Sequence, residues 1–474
     1  MERFQPDLAA LKDVRSVHLI AVCGTAMGAL ACILKEMGFI VTGSDQHVYP
    51  PMSDFLRSKG IRIFDGFKSA HLDGRPDLVV VGNAVTKDNE EVKTTQAMGL
   101  TFCSMPQAIN RFVAAGKQQI VITGTHGKTT TSSFIAWMLY CAGLDPSFLI
   151  GGIVSDFGGN YRAGKGNWIV LEGDEYDTAF FDKGSKFLHY MPKAAILTSI
   201  EFDHADIFRD LAHVKQAFRA FIESMHTDSD LIAFDQDANI AELLPCAGSK
   251  VWSYGCRSES DWGLGSVRIE PPYTHFEVLR HGNHYAAFKT RMIGKHNLCN
   301  LLAGIASGER LHIDTATMAH ALESFAGVRR RQEVRGVKND IVVIDDFAHH
   351  PTAVKATVEA VQSFYSRRLI AIFEPRTNSS RRSVFQSIYP ECFDAADMIC
   401  IRQAPLLDKI PEDQRFSSER LVSDLQARGK SAHFFQDTEN IIRFVCAQAR
   451  PGDVLLIMSN GGFDNIHARL LENL

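Results

Sequence analysis

The absences narrow the field first. No apolar run approaches the ~18 residues of a membrane-crossing helix, so no helical span and no membrane partner is expected. The ten cysteines form no C-x-x-C pair, and Cys23, Cys32, Cys141, Cys400 and Cys446 sit inside apolar runs. That usage excludes a disulfide or zinc framework and reads as reduced core residues of a cytoplasmic protein. The formal charge of -5 comes with no long basic run, which argues against non-specific nucleic-acid binding. Met1 to Asp13 carries charge and Pro6 around no apolar centre, so no secretory leader is expected. Internal repeats and low-complexity segments are also missing. What remains is a composition ordinary for soluble globular proteins, 45% apolar and 22% charged. At 474 residues the chain is too long for one core, and about three domains are expected.

The most specific feature is Gly124-Thr125-His126-Gly127-Lys128-Thr129-Thr130, directly after the apolar run Gln119 to Thr123 and before a helix-forming segment, Ser133 to Cys141. A buried strand, a glycine turn ending in Lys-Thr and a helix together make a P-loop. Its backbone N–H groups point at phosphate oxygens, Lys128 neutralises the β/γ-phosphates, and the Thr129 hydroxyl suits Mg²⁺. The loop has two residues between its glycines, where the common form has four. A turn that merely favours glycine would not account for Lys128 and the threonines after it.

Three blocks follow an α/β rhythm. The first, residues 1–116, has strands at Val17–Cys23, Phe39–Gly43, Leu78–Val81 and Thr101–Cys103, and reads as Rossmann-like. The second, 117–327, carries the P-loop strand, strands at Trp168–Leu171 and Ala194–Thr198, and an amphipathic helix over Leu211–Met225. It continues through a hairpin-like stretch, Ser266–Met292, and two helices. The third, 328–474, alternates strands at Ile370–Phe373, Met398–Ile401, His433–Phe435 and Val454–Met458 with helices, and is again Rossmann-like. The expected fold class is therefore α/β in three domains, with a mostly parallel sheet in the central one.

Polar residues recur where these strands end, which is where open α/β sheets bind ligands. Gly24, Thr25, Met27 and Gly28 follow the first strand, and Asp45 follows the second, placed to accept ribose hydroxyls. Their G-x-x-x-G spacing is not the dinucleotide fingerprint, and close packing explains either glycine equally well. Glu172 to Asp177 follows a strand beside the P-loop strand. Glu172, nearest its end, is the best metal candidate, although acidic runs are usually solvated loops. His204 follows Glu201 and Asp203 at another strand end and could complete a metal site or contact phosphate. Asn297 and Asn300 open a helix and suit either adenine or capping. Arg329 to Arg331 could clamp a γ-phosphate or form a solvated turn. Asp346 could hold a ribose or that arginine, and His349 and His350 stand before a helix starting at Pro351. Arg376, after Glu374-Pro375, is shaped for bidentate carboxylate recognition, and Ser459 to Phe463 can surround an anion with N–H groups.

With these strings in this order, the chain resembles the Mur ligases along essentially its whole length. The resemblance rests on Gly-Thr-His-Gly-Lys-Thr-Thr and on Asp345-Asp346-Phe347-Ala348-His349-His350-Pro351. It implies a UDP-sugar domain, an ATPase domain, and a C-terminal domain that binds the incoming peptide and closes over ATP. The strings Cys23-Gly24-Thr25, Gly82-Asn83-Ala84, Glu175 to Lys183, Glu374-Pro375-Arg376 and Ser459 to Phe463 resemble the recycling branch more than the L-alanine-adding branch. That branch joins L-alanyl-γ-D-glutamyl-meso-diaminopimelate to UDP-N-acetylmuramate, using ATP and Mg²⁺, in the bacterial cytoplasm. Thr377-Asn378-Ser379-Ser380 departs from the usual Ser-Asn-Thr-Met, which leaves diaminopimelate or lysine open as the third residue.

The resemblance implies catalytic roles for Lys128, Glu172, His204, Arg331 and Asp346. Thr129, Glu172 and His204 go to metal, with Lys215 a further cation nearby. Residues Gly124 to Thr130, Asn297, Asn300, Arg331 and Asp346 go to ATP. Gly24, Thr25, Met27, Asp45, Asn83 and Ala84 go to the UDP-sugar, and His349, Arg376, Asn378 and Asn460 to the peptide. A monomer or weak homodimer is expected. The alternatives are the L-alanine-adding ligase, a nucleotide switch without catalysis, and a dehydrogenase using the first block.

Overall fold

The computed structural model describes residues 13–48, 52–257 and 259–474. The opening stretch read above for a leader lies outside them apart from its last residue. The chain forms two compact units. One takes in the described residues through Glu201, with Ala212–Tyr254 and Ala303–Ala321. The other comprises Phe202–Leu211, Gly255–Leu302 and Leu322–Leu474.

Two mostly parallel sheets dominate the first unit. Five strands run in the order Arg62–Asp65, Ile40–Asp45, Ser16–Ile20, Leu78–Val81, Phe102–Ser104, all parallel. Strand order reverses at Ser16–Ile20, so the turn after it, feeding the helix Thr25–Glu36, lies at the switch point where such sheets bind ligands. Arg62–Asp65 was not foreseen; its pattern is half exposed and carries two charges.

In the second sheet the P-loop strand Gln118–Thr123 is central, between Trp168–Gly173 and Pro192–Leu197. Ser147–Val154 pairs beyond the former, and Asp230–Phe234 then Lys250–Gly255 beyond the latter, all parallel. Gly159–Arg162, at one edge, is antiparallel. Ile120, Val121 and Ile122 are fully buried, as expected of a strand covered on both faces.

One buried acid braces the first sheet. Glu91, fully buried on the helix Glu90–Ala97, accepts from the Ser44 hydroxyl and the Lys68 N–H, and meets His71 Nδ1 at 2.5 Å and His18 Nε2 at 3.5 Å. Burial alone would raise its carboxyl, but His18, Ser44 and His71 outweigh that and hold it below the usual range. A depressed acid contributes stability above its unfolded value, about 4.3, that is lost as pH falls through the folded one. Glu91→Ala is expected to cost about 3–5 kcal/mol, because it strands buried partners. Thermal unfolding of the wild type should lose more between neutral and acid pH than Glu91→Gln does. Parallel curves would remove Glu91 from this role.

The second unit contains an antiparallel meander, Trp262–Glu270, Tyr273–Arg280 and Asn283–Thr290, where the hairpin region was expected. A six-stranded sheet runs Glu333–Lys338, Ile341–Asp346, Val454–Met458, Leu369–Phe373, Met398–Arg402, Ser431–Phe435, antiparallel at the first pair and parallel elsewhere. Alternation along Ile341–Asp346 supplies two cores. Val342 and Ile344 pack with Val354 and Val358, while Ile341 and Val343 pack with Ile441 and Leu470. Among the described residues no helix is long and apolar enough to cross a membrane.

Candidate active site

In the first unit the P-loop is held by the neighbouring strand end. Gly124 has φ +130° and Gly127 has φ +80°, conformations that favour glycine. Thr125 N–H donates to Ser199 O at 3.0 Å and His126 N–H to Ser199 Oγ at 2.9 Å. The Thr198 hydroxyl donates to Thr123 O (3.1 Å) and His126 O (2.5 Å). Gly127 then caps the helix Lys128–Cys141, so the glycine loop leads directly into a helix N-terminus, which favours an anion.

Lys128 donates to Gly124 O at 2.6 Å and pairs with Glu175 Oε2 at 2.9 Å. Burial would lower its ammonium, but Glu175, Asp174 and Glu172 outweigh it and hold the group above its ordinary value. Glu172, at the end of Trp168–Gly173, accepts from Gly151 N–H at 2.9 Å, from the Ser132 hydroxyl at 3.4 Å and from the Thr129 hydroxyl. Burial first, and then Asp174, push its carboxyl up, the condition of an acid short of positive charge. Thr129 and Glu172 therefore form a hard-oxygen pair beside Lys128, which fits a divalent cation. His126 Nε2 lies 3.6 Å from Glu201 Oε2. Lys215, the suggested extra cation, pairs with Glu242 at 2.6 Å.

At the first sheet's switch point, Asp45 Oδ2 accepts from Cys23 N–H at 2.9 Å and Oδ1 from His47 N–H at 3.2 Å. A cavity of about 450 Å³ is lined by Asp45, Gln46, Ala84, Thr86 and Asn89, with Phe67 as an apolar wall. Gly24, Thr25 and Asn83 are exposed, whereas Met27 is buried beneath Gly82. Met27, in the first turn of the helix Thr25–Glu36, does not face solvent as its neighbours Gly24 and Thr25 do.

The second unit gathers the remaining residues into two groups. Asn300 Nδ2 donates to Asn297 Oδ1 (3.3 Å), and Asn297 Nδ2 to Gln332 Oε1 (2.9 Å) and Ile293 O (3.0 Å). Gln332 N–H and Ala348 N–H in turn donate to the two oxygens of Asp346. Burial raises the Asp346 carboxyl against the opposing pull of Arg331, whose guanidinium lies over Phe347.

In the other group Asp203 is the hub. It accepts from Ser379 Oγ at 2.7 Å and from His204 N–H at 2.7 Å, and its Oδ2 lies 3.9 Å from His349 Nε2. Burial would raise its carboxyl, but His349, His204 and His350 drive it far below the usual range. His204 has φ +53°. Asn378 donates to Asp206 at 2.9 Å and accepts from Arg381 at 2.7 Å. Buried Glu374 accepts from Ser459 Oγ at 2.6 Å, pairs with Arg402, and lies 3.5 Å from Arg376. Arg376 lies across Gly461, where any Cβ would collide with it, and its side chain is 38% exposed. Asn460 Oδ1 is buried and has no hydrogen-bond partner.

Glu175, Asp203, Gln332 and Arg402 were not singled out from the sequence. The first two stood inside strings already marked as acidic strand ends. Arg402 offered no local signal, because Glu374 reaches it only through the pairing of Leu369–Phe373 with Met398–Arg402.

Strand, glycine loop, Lys128, Thr129 and a half-buried acid on the adjoining strand define a P-loop protein of the nucleoside-triphosphate-binding class. Comparison with known proteins narrows the class. Residues 16–117 match the Mur ligase family catalytic domain, 122–308 the Mur ligase middle domain, and 330–461 the Mur ligase glutamate ligase domain. The chain is 36% identical over 467 residues to the UDP-N-acetylmuramate–L-alanyl-γ-D-glutamyl-meso-2,6-diaminoheptandioate ligase of Escherichia coli strain K12, covering 97% of this chain and 98% of that one. It is 32% identical to the UDP-N-acetylmuramate–L-alanine ligase of Caldanaerobacter subterraneus, covering 98% of each. Among solved structures, a murein peptide ligase from Psychrobacter arcticus aligns with TM-score 0.70 at 33% identity, over 97% of this chain and 98% of that one. The chain belongs to the Mur ligase family, ATP-dependent ligases that form amide bonds.

Proposed function

We propose that this enzyme joins L-alanyl-γ-D-glutamyl-meso-diaminopimelate to the carboxylate of UDP-N-acetylmuramate in peptidoglycan recycling, with ATP and Mg²⁺. The observation that carries the reading is 36% identity over nearly the full length to the Escherichia coli ligase of that name, against 32% for an L-alanine ligase. The arginines at the strand ends of the second unit support it, because the tripeptide brings several carboxylates where L-alanine brings one. The family segments 16–117, 122–308 and 330–461 agree with the bounds 1–116, 117–327 and 328–474 to within one residue, which supports a UDP-sugar domain, an ATPase domain and a peptide domain.

The chemistry needs two anions brought together. The muramoyl carboxylate attacks the γ-phosphorus and ADP leaves, giving an acyl phosphate. The peptide amine then attacks the acyl carbon and phosphate departs. Lys128 and the N-terminus of its helix hold the β/γ-phosphates, and Arg331, oriented by Asp346, is the clamp on the transferring group. Thr129 and Glu172, with His204 as a third candidate, would hold magnesium. When bound, that ion supplies charge neutralisation on the phosphates. Asn297 and Asn300 are assigned to the adenine end, and Asp45, Asn83 and Ala84 to the UDP-sugar. His349, Arg376, Asn378 and Asn460 are assigned to the peptide.

Phosphate release and product mass should appear with UDP-N-acetylmuramate, ATP and the tripeptide, and not with L-alanine in its place. The reverse pattern would transfer the assignment to the alanine-adding branch. Arg376→Ala is expected to raise KM for the tripeptide about 10- to 100-fold, the loss of a hydrogen bond to a charged group, with KM for ATP unchanged. An unchanged peptide KM would remove Arg376 from recognition.

A further inference from the structure

Two thiols in the second unit stand closer than ordinary sulfur packing. Cys256 follows the strand Lys250–Gly255, Cys299 lies in the first turns of the helix Lys295–Arg310, and their Sγ atoms are 3.1 Å apart. Cys256 is partly exposed and Cys299 is buried, so one sulfur is open to a small oxidant and the other is held against it. Neither takes part in the chemistry above. From this pairing we propose that Cys256 and Cys299 are a modification site, a dithiol that peroxide closes to a disulfide and that thereby governs the nucleotide end of the site.

Each step balances. The Cys256 sulfur displaces water from hydrogen peroxide and becomes a sulfenic acid. The Cys299 sulfur then attacks it, the S–S bond forms, and a second water leaves. Overall two thiols lose two electrons and two protons, and one peroxide is reduced to two waters. The sulfurs need approach by only about 1 Å to reach disulfide length. Four of the other cysteines are poor competitors. Burial pushes Cys23 and Cys32 up to about 11 and Cys392 and Cys400 up to about 12, which removes the reactive thiolate.

The consequence follows from what Cys299 adjoins. Asn300 is the next residue, Asn297 is two before it, and the hydrogen-bonded chain Asn300, Asn297, Gln332, Asp346 starts there. Drawing the first turns of the helix toward Cys256 displaces that chain. This half of the inference rests on the assignment of Asn297 and Asn300 to adenine.

The test uses the full-length reduced enzyme exposed to hydrogen peroxide. The expected result is loss of two hydrogen atoms from the intact mass, a cross-linked peptide pair containing Cys256 and Cys299, and reversal by dithiothreitol. Cys256→Ser and Cys299→Ser should each abolish the cross-link, and Cys256→Ser should keep the reduced enzyme's activity after peroxide. In the closed form KM for ATP should rise several-fold and return on reduction. Sulfinic acid at either cysteine with no cross-link would overturn the dithiol, and a fully closed enzyme with unchanged KM for ATP would overturn its control of the site. Cross-link mapping needs no substrate, so failure of the ligase assignment is scored separately, by the reduced enzyme alone.

Discussion

Lys128→Ala is expected to lower turnover by at least about 10²-fold, the usual loss when a charge aimed at a transition state is removed. The magnitude follows from the company Lys128 keeps. Its ammonium is enclosed by Gly124 O and by the carboxylates of Glu175, Asp174 and Glu172, so removing it leaves three acids facing an incoming triphosphate. The variant should therefore lose ATP affinity as well as rate, measurable by calorimetry and by phosphate release. The same neighbours fix the pH behaviour. A lysine held above its ordinary value gives stability that is complete below its unfolded value, about 10.4, and is lost only as pH rises through the folded one. Lys128 should thus contribute no inflection to the rate profile near neutrality. Retention of more than about a tenth of the wild-type rate would exclude it from phosphoryl transfer, since a loss that small falls below what a charge at the transition state normally commands.

Much of this arrangement could be read from the chain, and the part that could not has a physical cause. Apolar strands ending in glycine or charge located the P-loop, Glu172, Asp346 and Arg376, because a buried parallel strand must be continuous and its polar residues collect at its end. Of the strands that escaped, Arg62–Asp65 and Gly159–Arg162 did so because edge strands are short and polar, while Ser147–Val154, Asp230–Phe234 and Lys250–Gly255 lie inside the sheet. The partners were harder still. Nothing in the spacing of Asp203 and Ser379 announces their 2.7 Å bond, and Asn297 offers the same side chain to a ligand or to Gln332. In the structure its amide nitrogen already donates to Gln332 and to Ile293 O, so adenine recognition through Asn297 would use its oxygen or require Gln332 to turn away. Met27 shows the opposite limit. It stands among residues read from the sequence as ligand-binding and is buried at 6% exposure, because its place in the first helical turn aims the side chain at the space under Gly82.

Gly124→Ala should be nearly as damaging as loss of Lys128, though it removes no functional group. Two costs coincide at this position. The backbone sits at φ +130°, which L-residues rarely adopt, and a Cβ would land on the Thr198 hydroxyl and within 2.8 Å of Ser199 N. Thr198 and Ser199 cannot withdraw independently, because they hold the carbonyls of Thr123 and His126 and the N–H groups of Thr125 and His126. Relief of the clash therefore breaks the bonds that shape the cradle. Strain plus one or two lost hydrogen bonds amounts to about 2–4 kcal/mol, or roughly 30- to 1,000-fold in ATP affinity. Gly116→Ala separates the two costs. Gly116 also has positive φ, +73°, but a Cβ there would meet nothing within 4 Å. It should lower thermal stability slightly and leave ATP affinity intact. If Gly124→Ala bound ATP as tightly as Gly116→Ala, the contacts between this loop and Thr198–Ser199 would not be what forms the phosphate site.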